Sequence, residues 1–145
     1  MMNLQIDETK VIPGHWVVCE MKDGNQIVQV EKVIKDTINE KVEIWGEWKS
    51  AGSITGDYGF NHIEKCRFAT AVEIDDEGWR EVFRRKGRTP GQYITGDWVS
   101  DDVYALTVMH QVGNVVTVGI VNSGQTYEVK AEDLEPLFFK EDLAG

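Results

Sequence analysis

The sequence predicts an all-β protein made of two five-stranded barrels in tandem, joined by one short helix. The chain opens twice with a glycine-aromatic-valine pattern, GHWV at residues 14–17 and GDWV at residues 96–99. Each opening is followed by β-rich stretches and by a similar closing run, at residues 58–68 and 127–137. One short basic segment separates the two copies. Self-similarity of this kind indicates two copies of one small structural unit.

Proline and glycine residues divide the chain between the copies. We expect a first barrel at residues 12–74, a linker helix within residues 75–90 and a second barrel at residues 91–139. The ends, residues 1–11 and 140–145, carry little pattern and are expected to form terminal tails.

The linker helix is predicted at residues 77–86. Two aspartates at residues 75–76 precede it and can accept hydrogen bonds from its free amide groups, and Gly87 ends it. Trp79, Val82 and Phe83 form its apolar stripe, and we expect Trp79 and Phe83 to be largely buried between the barrels. The sequence TPG at residues 89–91 resembles IPG at residues 12–14 and therefore marks the start of the second barrel.

In the first barrel, residues 41–48 alternate between apolar and polar side chains. Successive side chains of a strand point to opposite faces of the sheet. If Ile44 faces the core, Trp45 therefore points away from it, whereas Trp48 faces inward. The following loop, residues 49–57, is rich in glycine and serine and is predicted to be flexible.

The order of these stretches resembles SH3-like small barrels of the Tudor and KOW types. The closing run YEVKAEDLEPL at residues 127–137 carries most of the likeness. Independently of this likeness, the sequence Asp23-Gly24 predicts a hairpin turn in the first copy. The first copy departs from the pattern, because its closing run contains His62 and Cys66. The resemblance implies an architecture rather than an activity, since such barrels serve many unrelated roles.

Aromatic residues surround the loop of the first barrel. In Tudor-like barrels, aromatic side chains near this place form a cage for a methylated cation. The predicted contact surface consists of Trp45, Trp48, Tyr58, Phe60 and Asp57. The alternative is that these aromatic residues belong to the core, to which alternation already assigns Trp48.

The net charge of −10 is concentrated in the second barrel, where residues 91–145 carry two basic and nine acidic side chains. An acidic field repels phosphate backbones and attracts basic surfaces. We therefore expect a protein partner with a basic surface, and direct nucleic-acid binding is disfavoured. The candidate acidic surface consists of Asp97, Asp101, Asp102, Glu132, Asp133 and Glu135. Alternatively, the charge only keeps the protein in solution.

A third of the basic residues lie close together in the linker: Arg80, Arg84, Arg85, Lys86 and Arg88. One interpretation is a phosphate or nucleic-acid contact. The favoured interpretation is internal, with the basic helix lying against the acidic second barrel.

Two histidine–cysteine pairs repeat a spacing of four residues, His15 with Cys19 and His62 with Cys66. Four such side chains could bind zinc. Positions four apart on a strand, however, lie about 13 Å apart, too far for two ligands of one ion. We expect two reduced thiols and no cofactor or metal, with a disulfide or the zinc site as alternatives.

The sequence contains no nucleotide-binding loop, nucleophile elbow, signal peptide pattern or membrane-length apolar run. We expect a cytoplasmic, non-enzymatic protein-interaction module without membrane association, for which a second copy of itself is another candidate partner. Small acidic proteins of this sort resemble accessory factors of phages and mobile elements, and the acidic surface would dock on a partner such as a nucleic-acid enzyme. The alternatives are a small-molecule or nucleotide binder using the loop aromatics and the basic helix, and an enzyme using Asp57, His62 and Cys66.

Overall fold

The computed structural model describes residues 10–22 and 24–143, which form two five-stranded antiparallel sheets. The first sheet contains β1 (Trp16–Met21), β2 (Gly24–Asp36), β3 (Lys41–Trp48), β4 (Asp57–His62) and β5 (Cys66–Phe68), with a 3₁₀ helix at Ile63–Lys65. Helix α1 (Ala71–Arg84) follows. The second sheet contains β6 (Trp98–Ser100), β7 (Ala105–Val112), β8 (Val115–Ile120), β9 (Thr126–Lys130) and β10 (Glu135–Phe138), with a 3₁₀ helix at Ala131–Asp133 and α2 at Lys140–Leu143. The predicted all-β class is confirmed.

Both sheets have the same strand order, β4-β3-β2-β1-β5 in the first and β9-β8-β7-β6-β10 in the second. In each sheet four strands follow one another as antiparallel neighbours, and the fifth returns to pair with the first. Within the described residues the two edge strands of a sheet do not pair with each other, so strand pairing does not close either sheet into a barrel. We call each sheet with its core a unit.

Backbone hydrogen bonds repeat where each unit begins. The amide of Gly14 donates to a carbonyl of β2 at 2.7 Å, and the amide of Gly96 donates to a carbonyl of β7 at 3.0 Å. Both glycines have positive φ, 96° and 100°, which glycine adopts without a steric cost. The second unit therefore opens at residues 94–99, and the predicted match of residues 89–91 with residues 12–14 is wrong.

The second and third strands of each unit also share an irregularity. The register between β2 and β3 shifts between Val30 and Lys32, and the register between β7 and β8 shifts between Val108 and His110. Such a β-bulge inserts one extra residue and changes which side chains beyond it face the core. Because the two bulges coincide, residues of the two units can be matched one by one.

Each unit has its own hydrophobic core. The first core contains Val11, Val17, Cys19, Val28, Val30, Ile44 and Cys66. The second core contains Phe83, Tyr93, Val99, Leu106, Val108, Val116, Val118, Ala131, Leu134 and Phe139. Phe83 belongs to α1, and the Trp79 indole of the same helix donates a 2.9 Å hydrogen bond to the Leu134 carbonyl. The helix therefore completes the second core.

Helix α1 begins with a capping box. The Thr70 hydroxyl accepts a hydrogen bond from the Glu73 amide at 3.2 Å, and the Glu73 carboxylate accepts one from the Thr70 amide at 2.9 Å. Reciprocal bonds of this kind satisfy amides that have no partner within the helix. The helix starts at Ala71 and ends at Arg84, so the predicted span of 77–86 is wrong at both ends.

Acid is expected to loosen this helix start. Arg67 on β5 donates two hydrogen bonds of 2.8 Å to the Glu73 carboxylate. These bonds, together with the one from the Thr70 amide, lower the pKa of Glu73 from 4.5 to about 2. Stability from a carboxylate whose pKa is lowered by folding is present above the unfolded value and disappears as pH falls through the folded value. As pH is lowered from 4.5 to about 2, the melting temperature should therefore fall less steeply for Glu73→Gln than for the wild type. Equal slopes would contradict this role.

The described parts of the predicted tails are integral to the fold. Val11 is buried in the first core, and residues 140–143 form α2. The two acidic side chains of α2 pair with Arg88 at 2.6 Å and with Lys86 at 2.7 Å. The tail predictions are wrong at these residues, because burial and ion pairs fix them. Residues 1–9, Asp23 of the predicted hairpin turn and residues 144–145 lie outside the described part of the chain.

Candidate interaction surface

The face of the first sheet that points away from its core carries three stacked aromatic side chains. Trp45 on β3 lies 4.8 Å from Phe60 and 5.9 Å from Tyr58, both on β4, measured between ring centroids. Phe60 is 43% and Tyr58 49% exposed. We call Trp45, Tyr58 and Phe60 the aromatic ladder. Alternation along residues 41–48 correctly placed Trp45 on this face.

Trp45 itself is less exposed than alternation alone suggests. Its indole N–H donates to Glu43 at 2.9 Å, and the Lys32 ammonium lies 5.0 Å from the ring centroid. An ammonium group at this distance from a ring is held by a cation–π attraction. The bulge in β2 brings Lys32 opposite Trp45. The sequence did not predict this contact, because a bulge of one residue leaves no distinctive pattern.

Trp48 lies on the opposite face of β3 and packs against the first core. A β-carbon at residue 59 would lie only 3.1 Å from the Trp48 ring, which explains why glycine occupies that position. The structure thus separates Trp48 from Trp45, Tyr58 and Phe60 of the predicted contact surface. Asp57 is exposed, but it is the cross-strand partner of Trp48 and therefore lies on the same face as Trp48, away from the ladder.

The second unit has no aromatic ladder at the matching positions. Lys32 and Trp45 are cross-strand partners directly after the bulge, as are His110 and Thr117 in the second unit. The same matching extends to the fourth strand of each unit. Phe60 and Tyr58 of the first unit correspond to Glu128 and Thr126 of the second. The same strand order, register and bulge are therefore formed without aromatic residues at the ladder positions.

Most of the basic cluster is occupied by internal contacts. Arg84 is buried and binds Glu77 at 2.7 Å, and it also donates to the carbonyls of Ser53 and Ser50 at 2.7 and 3.1 Å. These bonds tie the loop after β3, which was predicted to be flexible, to α1. Arg80 also pairs with Glu77, at 3.3 Å.

Arg88 forms the most deeply buried ion pair. Its guanidinium group binds the carboxylate of Asp97 at 2.5 and 3.0 Å, and the two side chains are 4% and 0% exposed. Burial raises the pKa of Asp97, but hydrogen bonds from Arg88, Ile94 and Lys140 outweigh it and lower that pKa overall. Arg85 is exposed.

The predicted acidic surface divides into internal and exposed residues. Asp97 is internal, and Asp101 accepts a 2.5 Å hydrogen bond from the Tyr127 hydroxyl. Burial, followed by this bond, raises the pKa of Tyr127 to about 12. The exposed members are Asp102, Glu132, Asp133 and Glu135.

The four histidine and cysteine side chains of the alternative zinc site do not converge. Cys19 and Cys66 are cross-strand neighbours, whereas the His15 ring lies against Phe68 and the His62 ring against Phe60. Among residues 10–22 and 24–143, no group of three or more His, Cys, Asp or Glu side chains could hold a metal ion.

A cleft of about 690 Å³ lies beside the ladder, between the outer face of the first sheet and α1. Its apolar walls include Trp16, Ile27 and Ile74, and Glu47 lies at its edge. Glu47 is also the cross-strand partner of Tyr58, so the cleft and the ladder are adjacent.

No known family model matches the chain, and no curated protein sequence matches it. In the described residues, no helix is long and apolar enough to cross a membrane.

Proposed function

We propose that the chain is a non-enzymatic, cytoplasmic protein-interaction module of two SH3-like units, and that its aromatic ladder binds a protein with a basic surface. The observation that carries this proposal is the difference between the two units. The second unit has threonine or glutamate where the first has the ladder, so the ladder is not needed to form the sheet. Grouped aromatic side chains left partly in water are typical of contact surfaces.

The strand order supports the SH3-like assignment. Four antiparallel neighbours, one 3₁₀ turn and a short fifth strand beside the first are the arrangement that the sequence resemblance implies. The two buried, free thiols support a reducing compartment such as the cytoplasm.

The chemistry around the ladder favours a cationic partner. The Trp45 ring already holds the Lys32 ammonium, and the carboxylates of Glu43 and Glu47 lie two residues before and after Trp45 on the same face of β3. Arginine is the best match, because its planar guanidinium stacks on aromatic rings and also binds carboxylates. We therefore propose that arginine side chains of the partner contact the ladder.

Replacing Trp45 by alanine should weaken binding of an oligo-arginine peptide by roughly thirtyfold, the effect of losing an interface hot spot worth about 2 kcal/mol. Folding stability should fall by only about 1 kcal/mol, the scale of an aromatic pair. The measurements are fluorescence anisotropy with labelled peptide and urea unfolding.

Thr117→Ala is the matched control, because Thr117 holds the same position in the second unit. It should leave peptide binding unchanged. Equal binding by the wild type, Trp45→Ala and Thr117→Ala would contradict a role for the ladder, as would equally tight binding of an oligo-glutamate peptide by the wild type.

The exposed acidic residues of the second unit offer a second contact to the same partner. Glu132, Asp133 and Glu135 follow one another around the 3₁₀ turn and the start of β10. Closely spaced carboxylates imitate the charge of a phosphate backbone. We propose that this surface docks on the basic groove of a nucleic-acid enzyme, as an accessory factor of a phage or mobile element would.

A small-molecule binder is the second candidate, favoured by the cleft beside α1. Its volume of about 690 Å³ falls within the usual range for ligand sites. A nucleotide is the weaker choice of ligand, because Arg84 and Arg88 are already bound to carboxylates and Glu31, Glu47 and Glu81 line the cleft.

A further inference from the structure

The two cysteines lie directly opposite each other on β1 and β5, where Cys19 pairs with Cys66. The Ala69 amide donates to the Trp16 carbonyl at 3.0 Å, so residues 16 and 69 form a hydrogen-bonded pair. Antiparallel pairs alternate between hydrogen-bonded and non-hydrogen-bonded types, which makes Cys19–Cys66, three pairs further along, a non-hydrogen-bonded pair. The α-carbons of such pairs lie about 4.5 Å apart. A disulfide accepts separations of about 4.4–6.8 Å.

Both thiols are free and buried, with Cys19 1% and Cys66 5% exposed. The Cys66 thiol donates to the His62 carbonyl at 3.5 Å. A hydrogen bond with the Cys19 thiol, followed by burial, raises the pKa of Cys66 well above its usual range. The two cysteines are therefore neighbours in the first core but unreactive while β5 is in place, because only a thiolate is a good nucleophile.

Packing alone does not require cysteine at these positions. Cys66 ends the 3₁₀ turn of the first unit, as Leu134 ends that of the second. Leu134 is also buried, so the fold accepts an aliphatic side chain there. The matched position of Cys19 is Asp101, which faces Tyr127 instead of a thiol.

We propose that Cys19 and Cys66 form a reversible disulfide that fastens β5 to β1 under oxidising conditions. The oxidant is a low-molecular-weight disulfide such as glutathione disulfide. One cysteine thiolate attacks a sulfur of this oxidant, forming a mixed disulfide and releasing one glutathione, which takes up the proton. The second cysteine then attacks the protein sulfur of the mixed disulfide and releases the other glutathione. The protein loses two electrons and two protons, and the oxidant gains them.

Strand β5 controls this reaction because it is short and lies at the edge of its sheet. It has three residues and pairs only with β1 among the described strands. Short edge elements open locally more often than the core does. Opening separates the two thiols and exposes Cys66, and closing brings the sulfur atoms together again.

The disulfide would also restrain α1. Arg67, the neighbour of Cys66, binds Glu73 in the first turn of the helix through two 2.8 Å hydrogen bonds. Fastening β5 therefore holds the start of α1 against the first sheet, and α1 carries Phe83 into the second core. Oxidation would reduce relative movement of the two units.

The test incubates the full chain with reduced and oxidised glutathione in defined ratios, quenches with acid and measures the intact mass. We expect a monomer that has lost two hydrogen atoms, that melts at a higher temperature and that reverts with dithiothreitol. The equilibrium constant for forming the internal disulfide with glutathione should be at least about tenfold larger in the folded chain than in the urea-unfolded chain. This ratio corresponds to a difference of about 30 mV in reduction potential. Low urea concentrations should accelerate its formation in the folded chain, since the reaction requires β5 to open.

Cys19→Ala and Cys66→Ala serve as controls, because each retains one thiol and can form only the mixed disulfide with glutathione. Accumulation of a mixed disulfide or a covalent dimer in the wild type would overturn the proposal. So would an internal disulfide that forms equally well in the unfolded chain, or one that lowers the melting temperature. The wild-type comparison stands even if an alanine variant does not fold.

Discussion

Arg88→Met is expected to destabilise the protein by about 3–5 kcal/mol, the cost of leaving a buried partner charge without its counterion. Asp97 is fully buried, and Arg88 supplies two of its four hydrogen bonds. Methionine fills a similar volume but cannot donate hydrogen bonds to the Asp97 carboxylate. Urea unfolding followed by circular dichroism measures the loss.

Arg85→Met is the matched control, since Arg85 is an exposed arginine three residues away in the chain. It should change the free energy of unfolding by less than about 0.5 kcal/mol. If Arg88→Met were as stable as Arg85→Met, the ion pair with Asp97 would contribute nothing measurable, and the basic cluster would become available for a ligand.

Phe83→Ala is expected to cost about 3–5 kcal/mol, because it opens a cavity where α1 enters the second core. The Phe83 ring is fully buried and lies edge-on to Trp79, Tyr93 and Phe139, with centroids 4.8, 5.0 and 5.5 Å away. The loss should appear as a lower urea midpoint for the unfolding of the second unit.

Val82→Ala is the comparison, because its side chain is 36% exposed on the same helix. It should cost much less than Phe83→Ala. Equal and small losses for both variants would mean that α1 is only loosely attached to the second core. The hydrogen bond from the Trp79 indole to the Leu134 carbonyl instead indicates firm attachment.

Local patterns in the sequence predicted much of the fold. Alternation along β3 placed Ile44 and Trp45 on opposite faces, and the repeated openings GHWV and GDWV predicted two similar units. These predictions succeeded because each depends on periodicity or on a glycine with positive φ, which are properties of a few adjacent residues.

The remaining features depend on partners that are distant in sequence. Asp75 and Asp76 resemble a helix start, but Thr70 and Glu73 form the observed capping box, helped by Arg67 on β5. The basic cluster could not be divided into buried and exposed members from the sequence, because burial of Arg88 depends on Asp97 and on α2. In the candidate surface, the ladder was predicted but its contact with Lys32 was not, since that contact requires the bulge in β2.

The position of Phe83 determines where this chain can be divided. By its connectivity α1 ends the first repeat, yet its aromatic residues form part of the interior of the second. A cut just before residue 91 would expose Phe83 on one fragment and leave a cavity in the other. All residues of the first core, in contrast, precede α1. During synthesis the first repeat therefore leaves the ribosome with its own interior complete, and the second can finish folding only around a helix made before it. The two units therefore differ in how they fold, although their sheets are alike: the first completes its core from its own residues, and the second needs Phe83 of the preceding helix.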